Sequence, residues 1–418
     1  MDRTEIEQVY HIFDIYFLLK KKFIKINLYL LYYKLNFNLC MRAVTNILRL
    51  NKNNRSLRFN ASIRIPMINP VWWTGHFPID ESKFIIDCSK YDLNSSELSS
   101  ELTTKINTTF NKIGLVKLTN TKLNDLNIMQ SHANKILGGK MKYNGGANSR
   151  GAIAKNVYDT GAPSEAHLHY HHEMAYVGKS VKSIAFCCSK ATNNKGFMYV
   201  SENTGVTNDI LKTEVGRKLK EKGICYIRCL TDRDVCKNLP KGWNGLDEFG
   251  IYNHWQKSFG VETPEEVEKL AAERGLQVEW GKDRYCKTKY YTDAFEYHPQ
   301  TGENHLYSSV ADDSIWFDTW PGVKDLPTMT FFNSTNMRER PLKITYGDDT
   351  ELSRSDLIDF VSVYDNHGLP IRWNVGDIVA ICNYRWAHGR PAYSLEEGEG
   401  RELGVILGPE YNRIGSKW

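Results

Sequence analysis

Several features that would place a chain in a functional class at once are missing from this sequence. Its nine cysteines include no CxxC pair, so there is no zinc-ribbon or thioredoxin-like redox motif. No window approaches the ~20 uninterrupted apolar residues that a membrane-spanning helix needs, and we expect no membrane span. Because the cysteine count is odd and the chain is large, we expect reduced thiols in a reducing compartment.

Acidic residues are absent from one long stretch, between Asp14 and Asp80. The basic residues of this stretch are Lys20, Lys21, Lys22, Lys25, Lys34, Arg42, Arg49, Lys52, Arg55, Arg58 and Arg64. The rest of the chain is mildly acidic, although the formal net charge of the whole is +5. The positive charge therefore does not predict a nucleic-acid-binding surface.

Residues 1–60 form a separate basic leader by composition. From Met41 the leader contains Ser and Asn and no acidic residue, and Val44, Ile47 and Leu48 can line one face of a short helix. This composition is typical of an organelle transit peptide. We expect import into a mitochondrion or plastid, with a cytoplasmic protein carrying a basic tail as the alternative.

Residues 61–418 are predicted to form a single domain, because they contain no internal repeat, low-complexity linker or Gly/Ser-rich boundary. Helical spacing predicts helices at 95–114 and 123–139. Predicted strands lie at 114–120, 166–177, 182–189, 225–230, 326–334, 371–384 and 401–408. Many short strands with turn signals favour a jelly roll, here a double-stranded β-helix, with helices on its outside. The predicted class is mainly β with flanking helices.

A helical insertion is predicted at about 232–300, where the run of strands is interrupted. It contains a clear helix at 263–275. Thr263 and Pro264 are placed as its N-cap and first helical residue, and Gly275 lies just past its end. The insertion could cover the active site or contact another subunit.

A histidine cluster lies within the predicted strand 166–177. Since side chains alternate faces along a strand, His167, His169, His171 and Glu173 are predicted to share one face. His171 and Glu173 would then place an imidazole beside a carboxylate, as two ligands of one metal ion require. A histidine cluster alone is also compatible with an incidental polar face or a zinc site.

A third ligand is predicted at His388, where a strand end is followed by His-Gly-Arg. Two histidines and one carboxylate make the facial triad of non-haem iron oxygenases, which leaves coordination positions open. Arg401 follows thirteen residues later. Its guanidinium fork matches a carboxylate and suits the distal carboxylate of 2-oxoglutarate. The alternative for Arg401 is an edge-strand surface residue.

Taken in order, these segments resemble the taurine dioxygenase/clavaminate synthase-like family over most of residues 115–410. The sequence from His171 to Tyr176 (HHEMAY) is similar to the family's metal motif, and Glu at position 173 points to its clavaminate synthase side. Asn383 to Arg390 is similar to its "DN…HGR" segment. Other similar segments lie at 143–150, 255–280, 298–303 and 346–349.

The resemblance implies a double-stranded β-helix that binds Fe(II), 2-oxoglutarate and O2. It implies oxidative decarboxylation to succinate and CO2, coupled to hydrogen abstraction from a second substrate. Hydroxylation, desaturation and oxidative ring closure are all outcomes within the family. Members that halogenate lack the carboxylate ligand, so Glu173 argues against halogenation.

Two positions depart from the family pattern. A threonine usually helps to hold 2-oxoglutarate about 25 residues after the carboxylate, and this chain has Met198 there. We expect Ser201 or a water molecule to take over that role. Cys382 replaces the aspartate that usually precedes Asn383, and this change alone is not expected to abolish iron binding.

The resemblance implies a small amino-acid or carboxylate substrate. Asn148, Arg150, Tyr176 and Arg390 are the candidate substrate-binding residues, the arginines as partners of a substrate carboxylate. One specific alternative is kainoid-type ring closure of an N-prenylated glutamate, as in algal kainoid synthases. Two rivals are a non-catalytic metal-binding jelly roll and a zinc hydrolase, which would need a general base beside an open zinc position.

Overall fold

The computed structural model describes residues 68, 70–95, 97–139, 152–154, 157–158, 164, 167–192, 195–234, 254–311 and 342–418. Residues 63–418 form one compact unit. The predicted leader at 1–60 and the predicted strand at 326–334 lie outside the described residues.

Three of the seven described α-helices lie at predicted positions, within 95–114, 123–139 and 263–275, whereas the other four were not predicted. The seven are α1 (Ser100–Ile113), α2 (Leu126–Leu137), α3 (Asn203–Ile210), α4 (Glu214–Lys222), α5 (Trp255–Phe259), α6 (Pro264–Glu273) and α7 (Arg354–Asn366). Thr263 caps α6 in a capping box with Glu266, and Pro264 is its first residue, as predicted. Among the helices of the described ranges, none combines the length and the apolar character needed to cross a membrane.

The strands are short and many. They are β1 (Ile85–Asp87), β2 (Leu115–Thr119), β3 (Ala152–Ala154), β4 (Val157–Tyr158), β5 (Leu168–His171), β6 (Lys179–Val181), β7 (Ser183–Lys190), β8 (Met198–Glu202), β9 (Ile224–Leu230), β10 (Gln277–Trp280), β11 (Cys286–Thr292), β12 (Phe295–His298), β13 (Glu303–Leu306), β14 (Leu342–Tyr346), β15 (Gly368–Ile371), β16 (Ile378–Cys382), β17 (Trp386–Arg390), β18 (Glu402–Leu407) and β19 (Glu410–Asn412). Of the predicted strand 371–384, only residues 378–382 form a strand of their own, β16, since β15 already ends at Ile371.

Two sheets make the core of the fold. One has seven strands in the order β1-β2-β16-β7-β18-β4-β3, and the other has four in the order β15-β8-β17-β5. Phe186, Val379 and Val405 of the larger sheet pack against Val200 and Leu369 of the smaller sheet. This apolar layer between two mainly antiparallel sheets is the interior of a double-stranded β-helix, which confirms the predicted fold class.

Helices cover the outer faces of both sheets. Ile106 of α1 and Met129 of α2 pack against Leu118, Ala380 and Ile406 of the seven-stranded sheet. On the four-stranded sheet, α3 and α7 form the outer layer. Val206 of α3 and Phe360 and Tyr364 of α7 share a core cluster with Tyr199 of β8 and Ala387 of β17. Alternate residues of each strand therefore face either the jelly-roll interior or the helical layer.

The segment at 232–300 contains strands as well as helices. Its β10 and β11 extend a third sheet, in the order β10-β11-β9-β14. Trp255 and Phe259 of α5 pack with Val267 and Ala271 of α6 and with Leu230 of β9. The predicted helical insertion is thus a mixed unit with its own small core.

Candidate metal centre

His171, Glu173 and His388 come together at one edge of the four-stranded sheet. One donor atom from each of the three side chains lies within 4.8 Å of the other two. Glu173 and His388 are buried, and His171 is half-buried. Two imidazoles and one carboxylate arranged in this way match the donor set of a non-haem Fe(II) site.

Strand pairing brings the two histidines together although they are far apart in the chain. β17 runs antiparallel to β5, and His388 is the register partner of His171. Their ring centroids are 4.3 Å apart. Side chains of directly opposite residues lie on the same face of a sheet, so both rings point into the jelly-roll interior.

The predicted common face of the histidine cluster is not what the structure shows. β5 ends at His171, and Glu173 lies in the turn that follows. The pairing of β5 with β17 also shifts register between His388 and Arg390, so the strict alternation fails. Leu168 and His171 both line the interior pocket, whereas His169 is buried outside this lining.

The tautomer of His171 follows from one hydrogen bond. Its Nδ1 lies 2.8 Å from the carbonyl oxygen of His169. A carbonyl oxygen can only accept, so Nδ1 carries the proton and donates it. Nε2 is then the ring atom whose lone pair can bind a metal, as is usual for a histidine oriented by a backbone carbonyl.

Asn383 fixes the turn that carries Glu173. The Glu173 N–H donates to Asn383 Oδ1 at 2.9 Å, and Asn383 Nδ2 donates to the Glu173 carbonyl oxygen at 3.0 Å. The same oxygen accepts from Ser180 Oγ at 3.0 Å and from the Tyr307 hydroxyl at 3.1 Å. Since Asn383 lies in the turn between β16 and β17, it joins the carboxylate ligand to the strand that carries His388.

Neighbouring histidines contribute packing and carry no charge at neutral pH. Burial lowers the pKa of His172 to about 3, and its ring stacks on Tyr307 with centroids 4.8 Å apart. Burial, aided by the charge of Arg390, lowers the pKa of His167 to about 4. Neutral rings add no positive charge beside a site suited to a cation.

The triad lies at one end of a pocket between the two sheets. The pocket encloses about 430 Å³, counting its open mouth. Its lining residues are Leu168, His171, Glu173, Phe186, Met198, His388, Gly389, Arg390, Arg401, Leu403 and Val405. The lining therefore joins a metal-binding donor set, an apolar wall and two guanidinium groups.

Arg401 lies in this pocket, immediately before β18. Its guanidinium carbon is 5.5 Å from the centre of the Tyr393 ring, and that of Arg390 is 4.9 Å from the same ring. Gly196 comes so close that a Cβ there would lie 2.7 Å from Arg401 Cδ and 3.1 Å from Tyr393 Cζ. Arg401 is thus packed against a glycine and an aromatic ring, which is not the surface position of the alternative interpretation.

Met198 and Ser201 lie on opposite faces of β8. Met198 lines the pocket and is 3% exposed. Ser201 is fully buried, and its hydroxyl donates to the Tyr364 carbonyl oxygen at 2.7 Å. Side chains of residues three apart on a strand point to opposite faces of the sheet. The structure therefore does not support the predicted contact of Ser201 with 2-oxoglutarate.

Cys382 also lies outside the residues that line the pocket. Its sulfur is 3.6 Å from Nε2 of His298. The Nδ1 atom of His298 accepts from the N–H groups of Gln300 and Thr301 at 3.2 and 3.3 Å, so its proton is on Nε2 and faces the sulfur. The replaced aspartate position thus contacts a neighbouring histidine instead of the triad.

The four predicted substrate-binding residues have different outcomes. Arg390 lines the metal pocket, and its Nη1 donates to the Ser164 carbonyl oxygen at 2.9 Å. Tyr176 lines a different pocket. Asn148 and Arg150 lie outside the described residues.

Sequence reasoning assigned no role to several residues that shape the site. Asn383 belongs to a motif of the family, and nothing local indicates that its side chain pairs with the backbone of Glu173. Phe186 lines the pocket and approaches the His388 ring edge-on, with centroids 5.4 Å apart. Tyr393 could have been suspected as an aromatic residue shortly after the His-Gly-Arg segment.

Comparison with known families gives one extensive match. The model of the family described as "Taurine catabolism dioxygenase TauD, TfdA family" matches residues 85–407. This range is more than three quarters of the chain and contains the triad, Arg390 and Arg401.

Individual relatives are more distant. A clavaminate synthase-like protein of Arabidopsis thaliana is 22% identical over 256 residues, which cover 60% of this chain and 69% of that protein. Among solved structures, a taurine dioxygenase from Burkholderia xenovorans gives a TM-score of 0.42 at 12% identity, with 78% of this chain and 85% of that chain covered. The PvcB protein from Pseudomonas aeruginosa gives a TM-score of 0.41 at 13% identity, with 79% and 88% covered.

Proposed function

The chain belongs to the TauD/TfdA family of non-haem Fe(II)- and 2-oxoglutarate-dependent dioxygenases, and we propose that His171, Glu173 and His388 hold its iron. The observation that carries this assignment is the convergence of their donor atoms within 4.8 Å in a pocket that also contains Arg401. The residues fit the ion: two imidazoles and one carboxylate leave positions open for a chelating keto acid and O2.

When bound in such a site, Fe(II) couples the oxidative decarboxylation of 2-oxoglutarate by O2 to hydrogen abstraction from a second substrate, with release of succinate and CO2. The protein's part is to place the reactants. The hydrogen bonds from Asn383 to the Glu173 backbone hold the carboxylate turn, and the bond from His171 to the His169 carbonyl orients the imidazole. Ligands oriented in this way bind metal more tightly.

Arg401 is the proposed partner of the distal carboxylate of 2-oxoglutarate. Its guanidinium lies in the pocket with the triad, and a planar fork of donors matches a carboxylate. Phe186, Leu403 and Val405 form the apolar wall beside it. A wall that excludes water strengthens the attraction between the guanidinium and the carboxylate.

The proposed second substrate is a small amino acid or carboxylate. Arg390 supports this proposal, because it provides a second cation in the lining of the same pocket. It is 4% exposed, and its hydrogen bonds to the carbonyl oxygens of Ser164 and Pro391 hold the guanidinium in place. A fixed guanidinium can orient a substrate carboxylate without a large entropy loss.

The first test is an anaerobic titration of the apo protein with Fe(II) and 2-oxoglutarate. We expect a saturable visible charge-transfer band in the wild type, no band in His171→Ala, and a band at about ten-fold higher 2-oxoglutarate concentration in Arg401→Met. His76→Ala and Arg217→Met are the matched controls, because His76 and Arg217 are exposed and lie outside the pocket lining. A folded wild type without the band would contradict the assignment and favour a non-catalytic jelly roll.

The second test separates an oxygenase from a zinc hydrolase. Succinate formation should require Fe(II), 2-oxoglutarate and O2 together, and it should increase when the correct amino acid or carboxylate is added. Product formation with Zn(II) alone, without 2-oxoglutarate, would instead identify a hydrolase.

A further inference from the structure

The backbone of the turn that carries Glu173 is strained. Residues 173–176 form this turn, which we call the metal turn. Met174, directly after the proposed ligand, has a φ of +57°. This left-handed conformation is uncommon for a residue with a Cβ and costs free energy, so it persists only where surrounding contacts fix it. The groups that hold the backbone of the metal turn therefore help to decide where the Glu173 carboxylate points.

The C-terminal strap, residues 410–418, runs beside the metal turn. Its strand β19 pairs antiparallel with β6, the strand that follows the metal turn in the chain. Arg413, directly after β19, donates its N–H to the Gly178 carbonyl oxygen at 2.9 Å. This strand pairing places the Arg413 side chain next to the metal turn.

The Arg413 guanidinium binds the metal turn directly. Its Nη1 donates to the carbonyl oxygen of Ala175 at 2.8 Å, and Ala175 is the residue after the strained Met174. Its Nε donates to Glu296 Oε2 at 3.0 Å, and its Nη2 donates to the Asp293 carbonyl oxygen at 2.9 Å. The Arg413 side chain is 2% exposed. Because all three nitrogen atoms have an acceptor, the planar guanidinium is held in one orientation.

Glu296 balances the charge of Arg413 and fixes the strap. Glu296 is fully buried. Its carboxylate accepts the N–H of Ile414 at 2.8 Å and that of Gly415 at 3.3 Å. Glu296 belongs to β12, which pairs with β13, so the ion pair joins the strap to this hairpin. Loss of either partner would leave a buried charge without compensation, and the two residues therefore act as one unit.

Tyr307 extends the same support to Glu173. It directly follows β13 and is fully buried. The centre of its ring lies 4.9 Å from the Arg413 guanidinium carbon, and its hydroxyl donates to the Glu173 carbonyl oxygen at 3.1 Å. Carbonyl groups on both sides of the strained Met174 are thus held, one by Arg413 and the other by Tyr307.

We propose that Arg413 is a positioning residue for the metal centre and that Glu296 keeps it in place. Arg413 is not among the residues that line the metal pocket, so it acts through the metal turn and not by contact with a metal ion or substrate. The inference rests on the proposed iron site. Without the guanidinium, the turn can leave its strained conformation in the metal-free protein. Metal binding must then restore that conformation, and the apparent affinity falls by the fraction of molecules that have lost it.

The test is anaerobic isothermal titration calorimetry with Fe(II) on the full chain. We expect Arg413→Met to bind Fe(II) at least about ten-fold more weakly than the wild type, the usual cost of losing a group that orients a metal ligand. Arg413→Lys should also bind Fe(II) more weakly, because it keeps the charge beside Glu296 but loses the fork that reaches three acceptors. Arg413→Lys provides the answer if Arg413→Met fails to fold.

Lys117→Met is the matched control. Lys117 forms another buried ion pair, with Asp377 at 2.7 Å, and the two side chains are 8% and 0% exposed. Neither residue is in the lining of the metal pocket. Lys117→Met should lower the free energy of unfolding in urea, as Arg413→Met does, and should keep the wild-type Fe(II) affinity. An equal loss of Fe(II) affinity in the two variants would make Arg413 a residue of general stability and overturn the proposal.

Amide hydrogen exchange of the metal-free protein gives a second readout that needs no iron. The N–H groups of Glu173 and Gly178 are bonded in the wild type to Asn383 Oδ1 and to the Arg274 carbonyl oxygen. We expect both to exchange at least about ten-fold faster in Arg413→Met than in Lys117→Met, because only the first variant releases the metal turn. Equal exchange rates in the two variants would overturn the proposal.

The Fe(II) titration also separates this inference from the iron assignment. Wild-type Fe(II) affinity in both Arg413 variants would overturn the positioning role and leave the iron site standing. A folded wild type that binds no Fe(II) would overturn both.

Discussion

The side chain of Asn383 pairs with the backbone of Glu173 in both directions, as a neighbouring strand would. It accepts the Glu173 N–H at 2.9 Å and donates to the Glu173 carbonyl oxygen at 3.0 Å. Asn383 is fully buried. Because the β16–β17 turn carries this asparagine and β17 carries His388, one amide side chain links two of the three proposed ligands.

Loss of the Asn383 amide should weaken metal binding. Asn383→Ala removes both bonds to Glu173 and two more from Nδ2, to the Val181 carbonyl oxygen at 3.0 Å and to the Tyr307 hydroxyl. We expect Fe(II) affinity to fall by about 10- to 100-fold, the usual cost of losing a group that orients a ligand. Titration with Fe(II) under anaerobic conditions measures it, with the exposed Asn107→Ala as control. Wild-type affinity in a folded Asn383→Ala would show that the turn holds itself.

A hydroxyl at position 198 should improve 2-oxoglutarate binding. Met198 lines the metal pocket, so Met198→Thr places a donor there, and we expect the dissociation constant of 2-oxoglutarate to fall by about ten-fold. The smaller side chain should also cost about 1–3 kcal/mol of unfolding free energy. The charge-transfer band and urea unfolding measure the two effects. No gain in affinity would mean that the hydroxyl does not reach the keto acid.

Ser201→Ala should have the opposite pattern. Its hydroxyl is bonded to the Tyr364 carbonyl on the outer face of the sheet, so the variant should lose about 1 kcal/mol of stability. The affinity for 2-oxoglutarate should stay at the wild-type value. A weaker charge-transfer titration in this variant would restore the sequence-based prediction for Ser201.

A methyl group at Gly196 should displace Arg401. Gly196 has φ of +62° and Gly398 has φ of +84°, so Gly196→Ala and Gly398→Ala both carry left-handed backbone strain of about 1 kcal/mol. Only at Gly196 does the new Cβ meet Arg401, at 2.7 Å, whereas at Gly398 no atom lies within 4 Å. We expect about ten-fold weaker 2-oxoglutarate binding in Gly196→Ala alone. Equal affinities in the two variants would argue against Arg401 as the carboxylate partner.

Acid should destabilise the fold through buried histidines such as His305. Burial is the main cause that lowers the pKa of His305 from 6.5 to about 4, although Glu303 lies 3.5 Å away. Between these two values the unfolded chain binds more protons, so the free energy of unfolding falls as pH falls from 6.5 towards 4. Urea unfolding across this range should show a shallower pH dependence in His305→Gln than in the wild type. The control variant His76→Gln, at an exposed residue, should keep the wild-type pH dependence of unfolding. The same pH dependence in His305→Gln would contradict the role of His305 in acid destabilisation.

The chemistry was predictable from local patterns. The His-x-Glu pair, the His-Gly-Arg segment and the spacing to Arg401 predicted the family and its cofactors, and the many short strands predicted the fold class. Helix ends were also local, since Thr263 with Glu266 forms a capping box and Gly114 closes α1 with φ of +77°. Such signals depend on residues that are neighbours in the chain, so they can be recognised without knowledge of the tertiary contacts.

Side-chain directions were decided only by the tertiary structure. Alternation along an ideal strand predicted one face for His167 to Glu173, but the register shift against β17 and the end of β5 at His171 broke it. Packing with the third sheet placed Tyr176 beside Arg228, in a pocket other than the metal pocket. Register, bulges and sheet-to-sheet contacts depend on residues distant in the chain. The sequence by itself determined which groups carry the chemistry, and the long-range pairing of strands decided which pocket each group faces.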